Sequence, residues 1–123
     1  MPHILIVEDD ADIRESLTAA LEWEGFEVSG VANGREAIEA LAVLPAPGLI
    51  LLDLMMPVMS GDEMLKALKT VHALAQIPVT IVTASGAPMP PLASGLLKKP
   101  VDLDVLLRIV ERSCGGSNGG RAA

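Results

Sequence analysis

Leu49-Ile50-Leu51-Leu52 is apolar at four consecutive positions and runs straight into Asp53. A strand with one wet face alternates apolar and polar residues; an unbroken apolar run fits a strand covered on both faces, as in the middle of a parallel sheet. Less uniformly apolar strand-like segments fall at residues 3–7, 26–31, 78–82 and 95–98, and longer stretches of helical periodicity lie between them. Strand and helix in alternation is the pattern of a parallel sheet wound by helices, so the expected class is α/β.

The helical stretches are legible from their apolar stripes and caps. A first helix over 11–24 places Ile13, Leu17, Ala20, Leu21 and the stem of Glu24 on one side and stops at Gly25. Asn33 can cap a second, with Glu36 three residues on and Ala37, Ile38 and Leu41 facing inward, until Pro45-Ala46-Pro47-Gly48 breaks it. A loop over 54–61 leads to a helix expected to continue to about Ala75, with Met64, Leu65, Leu68 and Val71 on its core side. Asp102 can cap the last helix, which carries Leu103, Leu106, Leu107 and Val110. Residues 1–114 are read as one domain, and the Gly-Gly-Ser-Asn-Gly-Gly composition of 115–123 as a flexible tail.

Charge and composition narrow the function. A net charge of −7 disfavours non-specific nucleic-acid binding, because phosphate backbones attract basic surfaces. Cys114 is the single cysteine, so no internal disulfide forms. No secretory leader is visible, and no apolar run approaches the roughly 20 residues that span a bilayer as a helix. A cytoplasmic protein without membrane insertion is expected.

Right-handed crossovers bring the C-terminal ends of parallel strands to one edge, where ligands bind. The first strand ends in Glu8-Asp9-Asp10, the third in Asp53, the fourth in Thr83 and the fifth in Lys99. Gathered carboxylates need a cation or must hold protons. Magnesium suits a few carboxylate oxygens, with manganese as a substitute. An aspartate beside such an ion can attack a phosphoryl group while a lysine neutralises the transferring oxygens. Thr83 offers a hydroxyl, and Ala84 leaves room for the group. Each residue also has a plain alternative: Asp9 or Asp10 as a helix cap, Asp53 as the start of a turn, Lys99 as a solvated charge, Thr83 as ordinary strand. Their joint placement at one edge favours the chemical reading.

The segments Ile4-Leu5-Ile6-Val7-Glu8-Asp9-Asp10, Leu51-Leu52-Asp53-Leu54-Met55-Met56-Pro57-Val58-Met59-Ser60-Gly61 and Leu97-Lys98-Lys99-Pro100 resemble those of response-regulator receiver domains. The resemblance implies a doubly wound five-stranded parallel sheet of the flavodoxin-like type. It implies Asp53 as phosphoacceptor and metal ligand, Glu8 and Asp9 as the acidic metal pair, and Met55 as a ligand through its backbone carbonyl. Asp10 would be a cap or supporting acid, Thr83 the switch hydroxyl, and Lys99 the lysine before a cis proline at Pro100. Lys98 matches no functional position.

The implied function is two-component phosphorelay signalling. The donor partner would be a histidine kinase or histidine phosphotransfer protein, and the output a downstream protein target. Such a domain catalyses its own phosphorylation and dephosphorylation and is not an enzyme acting on a separate substrate. The resemblance also implies that Met55 and Ser85 stand near the water that attacks the acyl phosphate.

Three departures stand out. Leu96 holds the position of the family's switch aromatic, and there is no tyrosine. The segment between Thr83 and Lys99 is short, and Ala87-Pro88-Met89-Pro90-Pro91 cannot form a helix interior, so the family's fourth helix is expected to be missing or reduced to a turn. The standard receiver dimer face is therefore not expected.

Other readings fit less of the sequence. A metal-dependent aspartyl-phosphate phosphatase would need its nucleophile after the first strand, where Glu8 stands, and would leave Asp53 without a role. An unphosphorylated binding module leaves the intact site unused, and a flavin protein would set its phosphate against an acidic loop. Met55, Met56 and Met59 read as packing residues, His3 and His72 lie far from a ligand set, and Trp23 falls off the apolar stripe. The segment Lys99-Pro100-Val101-Asp102-Leu103-Asp104, together with the flexible tail, resembles hybrid-kinase receivers as much as free-standing ones.

Overall fold

The computed structural model describes residues 3–54, 58–84, 90 and 92–113. Five strands, β1 (His3–Val7), β2 (Glu27–Val31), β3 (Leu49–Asp53), β4 (Val79–Thr83) and β5 (Gly95–Lys98), form one sheet in the order β2-β1-β3-β4-β5, every pair parallel. The helices among the described residues are α1 (Ala11–Trp23), α2 (Gly34–Val43), α3 (Gly61–Thr70), α4 (His72–Ala75) and α5 (Leu103–Ser113). This is the expected α/β, flavodoxin-like fold.

The period of two along each strand divides the core. Ile4, Ile6, Leu49 and Leu51 pack with α1 and α5 through Leu17, Leu21, Leu106 and Val110. Their neighbours Leu5, Val7, Ile50 and Leu52 face the other way, onto Ala37, Leu41, Met64, Leu65 and Leu68 of α2 and α3. Both faces are covered, which is why Ile4–Val7 of β1 and Leu49–Leu52 of β3 include no polar residue.

Helix starts follow local hydrogen bonding. Asp10 caps α1 by accepting from the backbone N–H groups of Asp12 and Ile13. Asn33 accepts from Glu36 N–H, as its spacing predicts, and Asp102 accepts from Asp104 and Val105 N–H. At α3, Ser60 and Glu63 form a reciprocal capping box, a pairing not singled out from the sequence. Glu63 is held below the usual carboxylate range by the backbone and side-chain hydrogen bonds it makes with Ser60.

Two expectations are corrected. The helix expected to reach Ala75 stops at Thr70: Val71 turns extended (φ −101°, ψ 111°) and the single turn α4 follows. Val71 is exposed rather than on the core side. The β-branched pair Thr70-Val71 weakens the helix there, and Lys69 Nζ donates to Ala75 O across the break at 2.9 Å. Leu103, expected on the inner stripe of α5, is also exposed, being the first residue of its helix.

Among the described residues of the β4–β5 connection (84, 90 and 92–94) none is helical, in keeping with the expected loss of the family's fourth helix. Trp23 is exposed, and His3 Nε2 lies 2.9 Å from Ser29 Oγ. The side chain of His72, residues 55–57 and 85–89, and 114–123, with the expected tail, lie outside the described residues.

Gly61 marks a close approach that bears on the site. Its N–H donates to Leu54 O at 3.0 Å, and a Cβ there would lie 2.7 Å from Asp53 O and 2.8 Å from Leu54 Cα. Backbone atoms cannot yield as a flexible side chain can. Gly61→Ala is expected to destabilise the protein by about 1–3 kcal/mol, read from urea denaturation.

Candidate functional site

Strand order reverses direction between β1 and β3, so the crossovers leaving these strands go to opposite sides of the sheet and open a crevice at their C-terminal ends. Glu8 and Asp9 follow β1 there, and Asp53 ends β3. One carboxylate oxygen from each lies within 4.8 Å of the others. Thr83 from the end of β4, Lys99 beyond β5, Ala84 and Ile13 of α1 help line the same cleft of about 270 Å³.

The backbone sets these positions. Glu8 N–H donates to Val31 O at 3.0 Å, and Lys99 N–H donates to Thr83 O at 2.9 Å, so both residues are held by the last rungs of the sheet. The Lys99–Pro100 peptide bond is cis. Glu8 is only 2% exposed, Asp53 5% and Thr83 1%. Asp10 N–H donates to Glu8 Oε2 at 3.2 Å, leaving Oε1 facing Lys99 Nζ at 2.8 Å. That oxygen makes no hydrogen bond of good geometry, so the pair is held by charge. Lys99 Nζ also stands 3.7 Å from Asp53 Oδ1.

Two buried acids, Glu8 and Asp53, and the exposed Asp9 beside them outnumber the one ammonium of Lys99, so the cluster is not electrostatically balanced. Burial, then the hydrogen bond and charge of Glu8, push the Asp53 carboxyl up to about 7, against the opposing pull of Lys99. Burial works against the charged form of Lys99, but its close contact with Glu8 and the negative charges of Asp53, Glu8 and Asp9 outweigh this and raise it. A divalent cation fits this arrangement: hard oxygen donors, one buried carboxylate oxygen without a hydrogen-bond partner, and excess negative charge.

The structure thus brings together Glu8, Asp9, Asp53, Thr83 and Lys99. Asp10 is the α1 cap, and Lys98 is exposed. Met55 and Ser85 lie outside the described residues. Sequence reasoning passed over Arg14, whose Nη1 donates to Glu8 O at 2.7 Å. The available signal was a basic residue in the first turn of α1 beside an acidic strand end.

Residues 4–111 match the family model described as the response regulator receiver domain. The chain is 36% identical over 128 residues to a transcriptional regulatory protein CpxR homolog of Haemophilus influenzae, covering 96% of this chain and 54% of that protein. It therefore spans about half the length of that relative. Among solved structures, a sensor protein from Polaromonas sp. JS666 superposes with a TM-score of 0.85 at 30% identity, covering 92% of this chain and 95% of the other. The signal receiver domain of a signal transduction histidine kinase from Syntrophus aciditrophicus gives 0.83 at 33% identity, over 95% and 92%. With its 2-1-3-4-5 sheet and acids at the β1/β3 crevice, this chain belongs to the response regulator receiver domain family of two-component signalling.

Proposed function

We propose that Asp53 accepts a phosphoryl group from a phosphohistidine of a histidine kinase or histidine phosphotransfer protein, in a Mg²⁺-dependent reaction, and that the domain signals by the resulting conformational change. The observation that carries this is the convergence of Asp53, Glu8, Asp9 and Lys99 at one open cleft. As a carboxylate, Asp53 attacks phosphorus in line; the new P–O bond forms as the donor's P–N bond breaks, and the imidazole nitrogen keeps the electron pair.

Lys99 supplies a positive charge to the transferred oxygens, and the Thr83 hydroxyl donates to one of them once the acyl phosphate has formed. Glu8, Asp9 and Asp53, with the Met55 carbonyl, would hold the metal, Mn²⁺ serving in place of Mg²⁺. When bound, the ion offsets the charge of the acids and of the phosphoryl oxygens. The exposed Ala84 leaves the cleft open beside Thr83.

The receiver unit is assigned to residues 1–114, with 115–123 as a tail, acting in the cytoplasm on a downstream protein target. No helix among the described residues is long and apolar enough to cross a membrane. The test is chemical mapping. After incubation with acetyl phosphate and Mg²⁺, borohydride reduction should convert residue 53 to homoserine, found by peptide mass spectrometry. Conversion at Glu8 or Asp9 instead would reject Asp53 as the acceptor.

A further inference from the structure

Glu8 carries the acidic side chain closest to Lys99, so the path of its backbone decides where the acids stand. Its N–H closes the final rung to Val31 of β2 at 3.0 Å. Beyond Val31 the backbone of β2 leaves the ladder: Ala32 N–H donates to the Glu36 carboxylate at 2.8 Å, and Asn33 turns to cap α2. At this point a side chain takes over from the sheet. Arg14 Nη1 donates to the carbonyl oxygen of Glu8 at 2.7 Å.

The approach of Arg14 is built into two elements. The capped first turn of α1 fixes its backbone, with Arg14 N–H donating to Asp10 O at 2.9 Å. Its stem runs against Gly30 of β2, where a Cβ would lie 3.1 Å from both Cγ and Cδ. A larger residue at position 30 would crowd the stem, so glycine there keeps the path open. A guanidinium hydrogen bond is charge-assisted and stronger than the neutral rung it replaces.

We infer that Arg14 is a positioning residue for the acidic pair: by holding the Glu8 carbonyl it fixes the turn between Glu8 and Asp9 and so aims both carboxylates toward Asp53. This rests on the reading of these acids as metal ligands. Groups that orient metal ligands typically change metal affinity by about 10–100-fold when removed.

Arg14→Met separates this role from simple packing, because methionine keeps an unbranched stem over Gly30 and lacks the guanidinium. Mn²⁺ binding would be followed by the electron paramagnetic resonance of the free ion, and folding by thermal denaturation in chelator. The expected result is a dissociation constant about tenfold higher with a melting temperature in chelator close to wild type. Wild-type Mn²⁺ affinity in Arg14→Met would overturn the role of Arg14 alone. Absence of Mn²⁺ binding by the wild-type protein would overturn the metal-site reading and the Arg14 role with it.

Discussion

Lys99→Ala is expected to slow phosphorylation by acetyl phosphate by about a hundredfold at saturating Mg²⁺, the scale seen when one preorganised charge-stabilising donor is removed from a reaction centre. Lys99 Nζ stands 2.8 Å from Glu8 Oε1 and 3.7 Å from Asp53 Oδ1, between the acid that orients it and the acid that reacts. Removing it takes away the cation that faces the transferred oxygens. It also leaves Glu8, only 2% exposed, without its counter-charge. Breaking such a pair typically costs about 3–5 kcal/mol, so the variant should lose stability as well as rate. Arginine should not restore the rate, because its planar fork cannot occupy the place of a compact ammonium. The time course of adduct formation by intact mass separates the outcomes; a wild-type rate in Lys99→Ala would exclude a part for this lysine in the transfer.

In chelator, the stability of the wild-type protein is expected to fall as pH rises from about 4 to about 7. The sign is opposite to that of most carboxylates. Asp53 titrates near 3.8 when unperturbed and near 7 in the folded protein, so through this window the folded state binds the proton that the unfolded chain releases. Full expression of that shift corresponds to about 4 kcal/mol at 1.36 kcal/mol per unit. Water at the open side of the cleft screens it, and a loss of about 2 kcal/mol is expected.

Lys99 lies outside this window. Its raised value makes its contribution complete below about 10.5, lost only as pH climbs through the folded value. Asp53→Asn should remove most of the slope and exceed wild type in stability at pH 8 without metal. Urea denaturation across pH reads both effects. A wild-type stability that rises over this window would contradict the crowding of acids described above.

The architecture was legible because the chain is consistent across levels. Leu49 to Leu52 required a strand buried on both faces, and the acids, hydroxyl and amine at four strand ends required a common edge. The caps at Asn33 and Asp102 followed from one residue each. The break at Val71 was less visible, because Met64, Leu65, Leu68 and Val71 continue an apolar period that the extended backbone at Val71 interrupts. Arg14 was missed for a different reason. Its partner is a backbone carbonyl, and periodicity carries no record of where a strand ladder ends and a side chain takes over. The site chemistry was readable in its residue types, whereas its imbalance, three acids to one ammonium at one cleft, needed the distances.

The central claim is that Asp53 is a metal-assisted phosphoacceptor, and intact mass tests it most directly. Wild type and Asp53→Asn would be incubated with acetyl phosphate, each with Mg²⁺ and with chelator. The account predicts one added phosphoryl group on the wild-type chain with Mg²⁺, little or none in chelator, and none on Asp53→Asn under either condition. An equal adduct on Asp53→Asn, or no adduct on a folded wild-type chain with Mg²⁺, would contradict it.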